Sequence, residues 1–168
     1  MSTRIRGIEE DDLPELTRVY NHYVTETSIT FDIAPYTVEQ RRQKWYDGFD
    51  PKGRHRCYVA EVDGRAVGWA CSLQFRPKAA YDSTIETSIY LDPGMTGRGL
   101  GALLYQRLFD GLAETDVHMA VGGVTLPNAA SVALHARFGF RTVGIYHEVG
   151  WKQDRYWDVQ WFEKRLKD

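Results

Sequence analysis

The chain is 168 residues long, 43% hydrophobic and 13% aromatic, with a formal net charge of −2. That length suits one domain with a core of its own, taken here as residues 1–168. The balanced charge leaves no nucleic-acid footprint, and no segment has the length and apolarity of a membrane span or signal peptide, so a cytoplasmic soluble protein is expected.

In chain order, a short strand near Ile5 leads into a helix from Asp11-Asp12 to about Glu26, with Pro14 in its first turn. Leu13, Leu16, Val19, Tyr20 and Tyr23 recur at helical spacing and predict its buried face. A second helix is predicted from Val38 to about Tyr46, capped by Thr37. Arg56 to Val62 and Arg65 to about Leu73 read as two strands turning on Asp63-Gly64, a dipeptide favoured in two-residue hairpin loops. With that loop Val62 pairs with Arg65 and Cys57 with Ala70. Cys57 and Cys71 then face opposite ways, so no disulfide is expected. They also lack zinc-site spacing, and both read as small packed residues.

Thr84 to Leu91 is a third consecutive strand, and it runs into Asp92-Pro-Gly-Met-Thr-Gly-Arg-Gly-Leu-Gly101 and then an apolar helix. Leu100, Leu103, Leu104, Leu108 and Leu112 lie on one side of that helix. A strand, a glycine-dense loop and a helix opening in succession let several backbone N–H groups converge on one anion, with the positive helix end behind them. Glycine suits such a turn because it takes positive φ freely and lets a ligand approach the backbone. A phosphate cradle is therefore predicted, with a purely structural turn as the alternative. No Gly-Lys-Ser/Thr follows, and Gly97-Arg98-Gly99-Leu100-Gly101 is not the dinucleotide G-x-G-x-x-G.

Val117 to Thr125 is a further strand, and Asn128 to Phe138 a short helix capped by Asn128 and stopped by Gly139. Arg141 to Val149 and Tyr156 to Lys164 read as the last strands. The order β-α-α-β-β-β-α-β-α-β-β implies a mixed sheet with helices on both faces, an α/β (α+β) fold.

These features together resemble the GNAT superfamily of acetyl-CoA-dependent N-acetyltransferases. The superfamily's Gln/Arg-x-x-Gly-x-Gly/Ala loop corresponds to Thr96-Gly-Arg-Gly-Leu-Gly101, its later Asn to Asn128 and its helix-ending Gly-Phe to Phe138-Gly-Phe140. Tyr20-Asn-His-Tyr23, Glu26-Thr-Ser28, Phe75-Arg-Pro-Lys-Ala-Ala-Tyr81, Glu86-Thr-Ser-Ile-Tyr90, Leu126-Pro-Asn128, Ser131 through His135, and Gly150-Trp-Lys152 before Trp157-Asp-Val159 are similar to its phosphinothricin and methionine sulfoximine branch. The resemblance implies a mostly antiparallel sheet of about seven strands flanked by about four helices.

It also implies acetyl-CoA as cosubstrate, with no metal. In the family, the strand before the glycine loop splays from its neighbour and offers edge N–H and C=O groups to the pantetheine, a place held here by Ile89, Tyr90 and Leu91. Gly97, Arg98, Gly99, Leu100, Gly101 and Ala102 would hold the pyrophosphate, Arg98 adding a charge-assisted contact. Asn128 and Ser131 would complete the cofactor site, although a helix cap alone accounts for Asn128. Thr96 departs from the Gln or Arg usual at its position.

Glu86 lies on the strand that the family uses for its general base, so the resemblance implies that role. The chemistry has a need for it, because an ammonium cannot attack a thioester until it loses a proton. Without that context a strand glutamate reads as a solvated or hydrogen-bonded side chain. His135 occupies the place of a tyrosine thought to protonate the departing thiolate. It reads equally as that acid or as a packed histidine bonded to a backbone carbonyl. Arg76, Lys78 and Tyr81, with Glu86, match the branch's substrate loop, where a guanidinium and a phenol can hold a carboxylate or tetrahedral oxygens. Trp45, Phe49, Phe75, Tyr81 and Trp151 are candidates for lining the acceptor pocket. The expected partners are a small amino acid acceptor and a second copy of the chain, the homodimer being implied by the branch and by the Trp- and Tyr-rich C-terminal strands. Acetylation of another amine and non-catalytic acetyl-CoA binding are the alternative functions.

Overall fold

The computed structural model describes residues 2–168. Its elements are β1 (Thr3–Gly7), α1 (Leu13–Glu26), α2 (Val38–Lys44), β2 (Cys57–Val62), β3 (Arg65–Gln74), β4 (Thr84–Leu91), α3 (Leu100–Ala113), β5 (Met119–Thr125), α4 (Ala129–Arg137), β6 (Arg141–Lys152) and β7 (Arg155–Arg165). The strands form one sheet in the order β1-β2-β3-β4-β5-β7-β6. Adjacent strands run antiparallel except β4 and β5, which are parallel. The element order and the mixed, mostly antiparallel sheet are those expected from the sequence.

Local chemistry explains most boundaries. Pro14 opens α1, while Arg6 clamps Asp12 just before it through two bonds of 2.7 Å. Thr37 caps α2 in a reciprocal box with Gln40, and the helix ends at Lys44 because the chain tightens into a 3₁₀ turn over Tyr46–Gly48. Asp63 and Gly64 take φ of 47° and 80°, the double left-handed turn that joins β2 to β3.

The sheet buries both faces. On one, Leu100, Leu104, Leu108 and Leu112 of α3 pack on Val67, Ala70, Ile85 and Ala120. On the other, Leu13, Leu16 and Val19 of α1 pack on Val59, Trp69 and Cys71. Each of the buried Leu, Ile and Val side chains contributes about 1.5–3 kcal/mol on burial. Leu103, read with the other leucines on one side of the helix, is 49% exposed on the flank of α3.

The cysteine pairing differs from expectation. Ala60 pairs with Gly68 but Glu61 with Ala66, so Val67 is an extra residue on β3 and the register beyond it moves by one. Cys57 therefore faces Cys71, not Ala70, and both are buried, free thiols on the α1 side of the sheet.

Candidate active site

β4 and β5 pair only at Thr84↔Met119, Ile85↔Ala120 and Glu86↔Val121, then part. The gap is a cleft of about 920 Å³ that opens on both faces of the sheet. Asp92 N–H bonds to the Val67 carbonyl, so in the alternating antiparallel pattern the main-chain groups of Tyr90 face β3 while those of Ile89 and Leu91 face the gap. The Tyr23 hydroxyl already donates to the Leu91 carbonyl at 2.6 Å. Of the three strand residues expected at an amide-bearing ligand, Ile89 and the Leu91 N–H keep main-chain groups turned to the cleft. Tyr90 supplies its ring, packed among Tyr20, Tyr23 and Trp69.

The glycine loop lies at one mouth of the cleft. Gly97 and Gly99 take φ of 74° and 79°, and a side-chain carbon at either would meet no atom within 4 Å. Gly99 is the N-cap of α3, and the first bonds of the helix run from Ala102 and Leu103 to the Gly99 carbonyl. Ala102 N–H is therefore already engaged, and the donors free of helical bonding are those ahead of it, Leu100 and Gly101 included. The open space above the loop fits a pyrophosphate. Thr96 lines the cleft with its hydroxyl turned back to the Pro93 carbonyl at 3.2 Å. Asn128 caps α4 by accepting from Ser131 N–H, and both residues border the cleft.

Glu86 sits at the opposite mouth, on the sheet face that also carries Ser88 and Tyr90. Burial raises its carboxyl pKa, so it holds a proton more readily than an exposed glutamate. A half-buried carboxylate whose proton affinity is raised toward neutrality suits proton abstraction from a bound ammonium.

His135 is buried from the α4 side, its ring stacked on Phe162 at 4.9 Å. Nδ1 lies 2.7 Å from the Ser131 carbonyl and so carries the proton, which leaves Nε2 as an acceptor 3.3 Å from the Tyr105 hydroxyl. Burial lowers its pKa against the opposing effect of the Ser131 bond. His135 and Tyr105 both border the cleft, and the Ser131 bond is the contact expected of a packed histidine. Gly122 permits it, since a side-chain carbon there would lie 2.7 Å from Nε2.

Arg76, Lys78 and Tyr81 are exposed and lie outside the cleft lining, with the Arg76 guanidinium 4.9 Å from the Phe75 ring and 5.8 Å from that of Tyr81. Trp45, Phe49, Phe75 and Trp151 do not line the cleft either. Trp45 and Phe49 belong to the core around Trp69, Phe75 packs on Tyr81, and Trp151 is exposed against Tyr156. The aromatic lining on the Glu86 side is instead Tyr23, Phe31, Tyr90, Tyr146 and Trp161, joined by Ile29, Leu73 and Val159. The Gly122-Gly123 pair within β5 was the signal in the sequence, because glycine inside a strand marks close approach: His135 comes up to Gly122, and a side-chain carbon at Gly123 would lie 3.2 Å from the Trp161 ring. Among the described residues, no group of three or more His, Cys, Asp or Glu side chains could hold a metal.

Residues 16–140 match the sequence profile of the acetyltransferase (GNAT) family. The chain is 50% identical over 165 residues to a phosphinothricin N-acetyltransferase of Streptomyces coelicolor, covering 97% of this chain and 96% of the relative. It is 31% identical over 166 residues to an L-methionine sulfoximine/L-methionine sulfone acetyltransferase of Pseudomonas aeruginosa, covering 99% and 96%. The solved structure of YncA from Salmonella typhimurium with its cofactor acetyl-CoA superposes with a TM-score of 0.94 at 29% identity, covering all of this chain and 96% of that one.

Proposed function

This chain belongs to the acetyltransferase (GNAT) family, and from that premise we propose that it transfers an acetyl group from acetyl-CoA to the α-amine of a small amino acid or analogue of phosphinothricin, methionine sulfoximine or methionine sulfone type. One observation carries the reading: a single cleft through the sheet has an anion cradle at one mouth and a half-buried carboxylate, Glu86, at the other. The relatives' substrates support the acceptor class. The loop donors of residues 97–101 hold the pyrophosphate, Ile89 and the Leu91 N–H pair with the pantetheine amides, and Arg98, Asn128 and Ser131 flank it. Bound acetyl-CoA supplies the thioester that the amine attacks directly in a ternary complex. Glu86 takes the proton of the acceptor ammonium, directly or through water. The deciding measurement is thiol release from acetyl-CoA with amino acids, their sulfone, sulfoximine and phosphinate analogues, polyamines and peptides offered in turn. Better turnover of polyamines or peptides than of every amino acid would overturn the acceptor class.

Arg76, Lys78 and Tyr81 are proposed as the acceptor's polar rim. Their segment continues β3 just past Leu73, the residue paired with Glu86, so it stands at the Glu86 end of the cleft. Arg76→Ala is expected to lower kcat/KM for the acceptor by roughly ten- to a hundredfold, the size of a lost charged hydrogen bond, with the KM for acetyl-CoA unchanged. A silent substitution toward every amino acid acceptor would remove Arg76 from the site.

For His135 we infer a packing role, since its Nε2 has no proton to give in the neutral state. His135→Phe is expected to keep the turnover rate within a few fold of wild type. A loss of about a hundredfold with CoA affinity intact would assign it to thiolate protonation.

A cytoplasmic homodimer completes the proposal. β6 is an edge strand whose Val143, Ile145, Tyr146, Val149 and Trp151 are exposed, beside Tyr156 of β7, more apolar edge than a monomer ordinarily leaves open. Sedimentation should give a dimer at micromolar concentration, and Trp151→Glu should weaken it. A wild-type monomer would refute the assembly. Among the described residues no helix is long and apolar enough to cross a membrane.

A further inference from the structure

The Glu86 mouth of the cleft is walled by two segments far apart in sequence. One is Ile29, Thr30 and Phe31, just after α1; the other is the end of the β6–β7 hairpin, with Val149 and Val159 in the lining. Lys152, at the end of β6, joins them. It is buried, and its Nζ donates to the Thr30 carbonyl at 2.7 Å and reaches the Tyr23 carbonyl at 3.5 Å. Tyr23 lies in the last turn of α1, where a cation is favoured, and its carbonyl also accepts from the Thr27 hydroxyl at 2.8 Å. Asp32 adds electrostatic attraction. An ammonium is costly to bury without such acceptors, and removing it takes this donor from the Thr30 carbonyl.

Two residues before Lys152, the Phe31 ring lies against Gly150 so closely that any side chain there would overlap it. Thr30 is held from the other side, its hydroxyl bonded to that of Tyr20 at 2.9 Å, and Tyr20 donates to Asp32 at 2.5 Å. The stretch from Ile29 to Phe31 is thus fastened to α1 by Tyr20 and to the hairpin by Lys152 and Gly150.

We infer that Lys152 and Gly150 are positioning residues: they latch the 29–31 segment to the hairpin and thereby fix the acceptor-side wall, so they govern acceptor affinity without touching the cofactor cradle. The inference rests on the acetyltransferase reading for its kinetic consequences, while the latch itself can be read without turnover. Lys152→Met is expected to raise the acceptor KM about tenfold, as for a lost charged hydrogen bond, while the KM for acetyl-CoA stays within about twofold. Lys152→Arg keeps a donor to Thr30 and should recover most of the loss. Gly150→Ala should displace Phe31 and raise the acceptor KM similarly, and adding Phe31→Ala to it should cost less than the two single effects combined, because both act on one wall.

The acceptor for these assays is whichever amine the wild type acetylates best. Amide hydrogen exchange should rise over residues 27–33 in Lys152→Met and not over the glycine loop. Unchanged exchange there, an unchanged acceptor KM in Lys152→Met and Gly150→Ala, or acetyl-CoA and acceptor KM rising together would overturn the latch. If Lys152→Met fails to fold, the same measurements on Gly150→Ala support or overturn the latch by the same outcomes. A wild type that turns over no amine overturns the functional reading instead, and hydrogen exchange still decides the latch.

Discussion

Glu86→Gln is expected to lower kcat by about a hundredfold or more while CoA affinity stays as in wild type, since a positioned general base contributes about 10²–10⁴ and the side chain lies at the mouth away from the cradle. Glutamine keeps the shape and loses the proton acceptor. Raising the pH should recover part of the loss, because more acceptor amine is then already neutral.

The wild-type rate should climb with pH as Glu86 ionises, with its acid limb above the ordinary carboxylate range because burial raises the pKa. The same shift has a stability sign. Below the unfolded-state pKa both states carry the proton and nothing is lost. As pH rises through the interval up to the folded-state pKa, the unfolded chain ionises first and the folded protein loses stability relative to it. Thermal melts of Glu86→Gln should therefore gain on wild type across that interval. A variant of near-normal rate at neutral pH would remove Glu86 from the base role.

Gly99→Val is expected to abolish measurable CoA binding. Gly99 takes φ of 79° with open space where a side chain would project, so valine meets two penalties there. A β-branched residue in the left-handed region is strained by about 1–3 kcal/mol, and its methyls fill the space the pyrophosphate needs. Losing two charge-assisted donors at about 1.5–3 kcal/mol each weakens binding by about a hundredfold or more. Gly64→Val, at φ of 80° in the β2–β3 turn, carries comparable strain far from the cleft. It should lose stability and keep CoA affinity, which separates strain from exclusion of the ligand. Calorimetry showing unchanged CoA binding in a folded Gly99→Val protein would reject the cradle.

Features that depend on near neighbours follow from local residue chemistry alone. Helical spacing marked the buried face of α1, Asp63-Gly64 marked the hairpin turn, and the strand from Thr84 to Leu91 running into glycines marked a loop opening a helix, whereas Glu86 stood out only through the family resemblance. Periodicity and turn chemistry act within a few residues, so no tertiary information was needed.

What lay beyond reach depends on which elements face one another. Cys57 faces Cys71 because of one extra residue at Val67, a bulge that leaves no local signature in an otherwise regular strand. Tyr90 shares the strand of Ile89 and Leu91, yet its main-chain groups are spent on β3, which only the register reveals. Trp45 and Phe31 are both aromatic residues near α2. One fills the core and the other lines the cleft because β4 and β5 part after Glu86 and the hairpin end bearing Gly150 and Lys152 meets the chain after α1. A side chain's face follows from its place in the strand or helix. What that face meets is decided by long-range pairing and packing, which only the assembled sheet supplies.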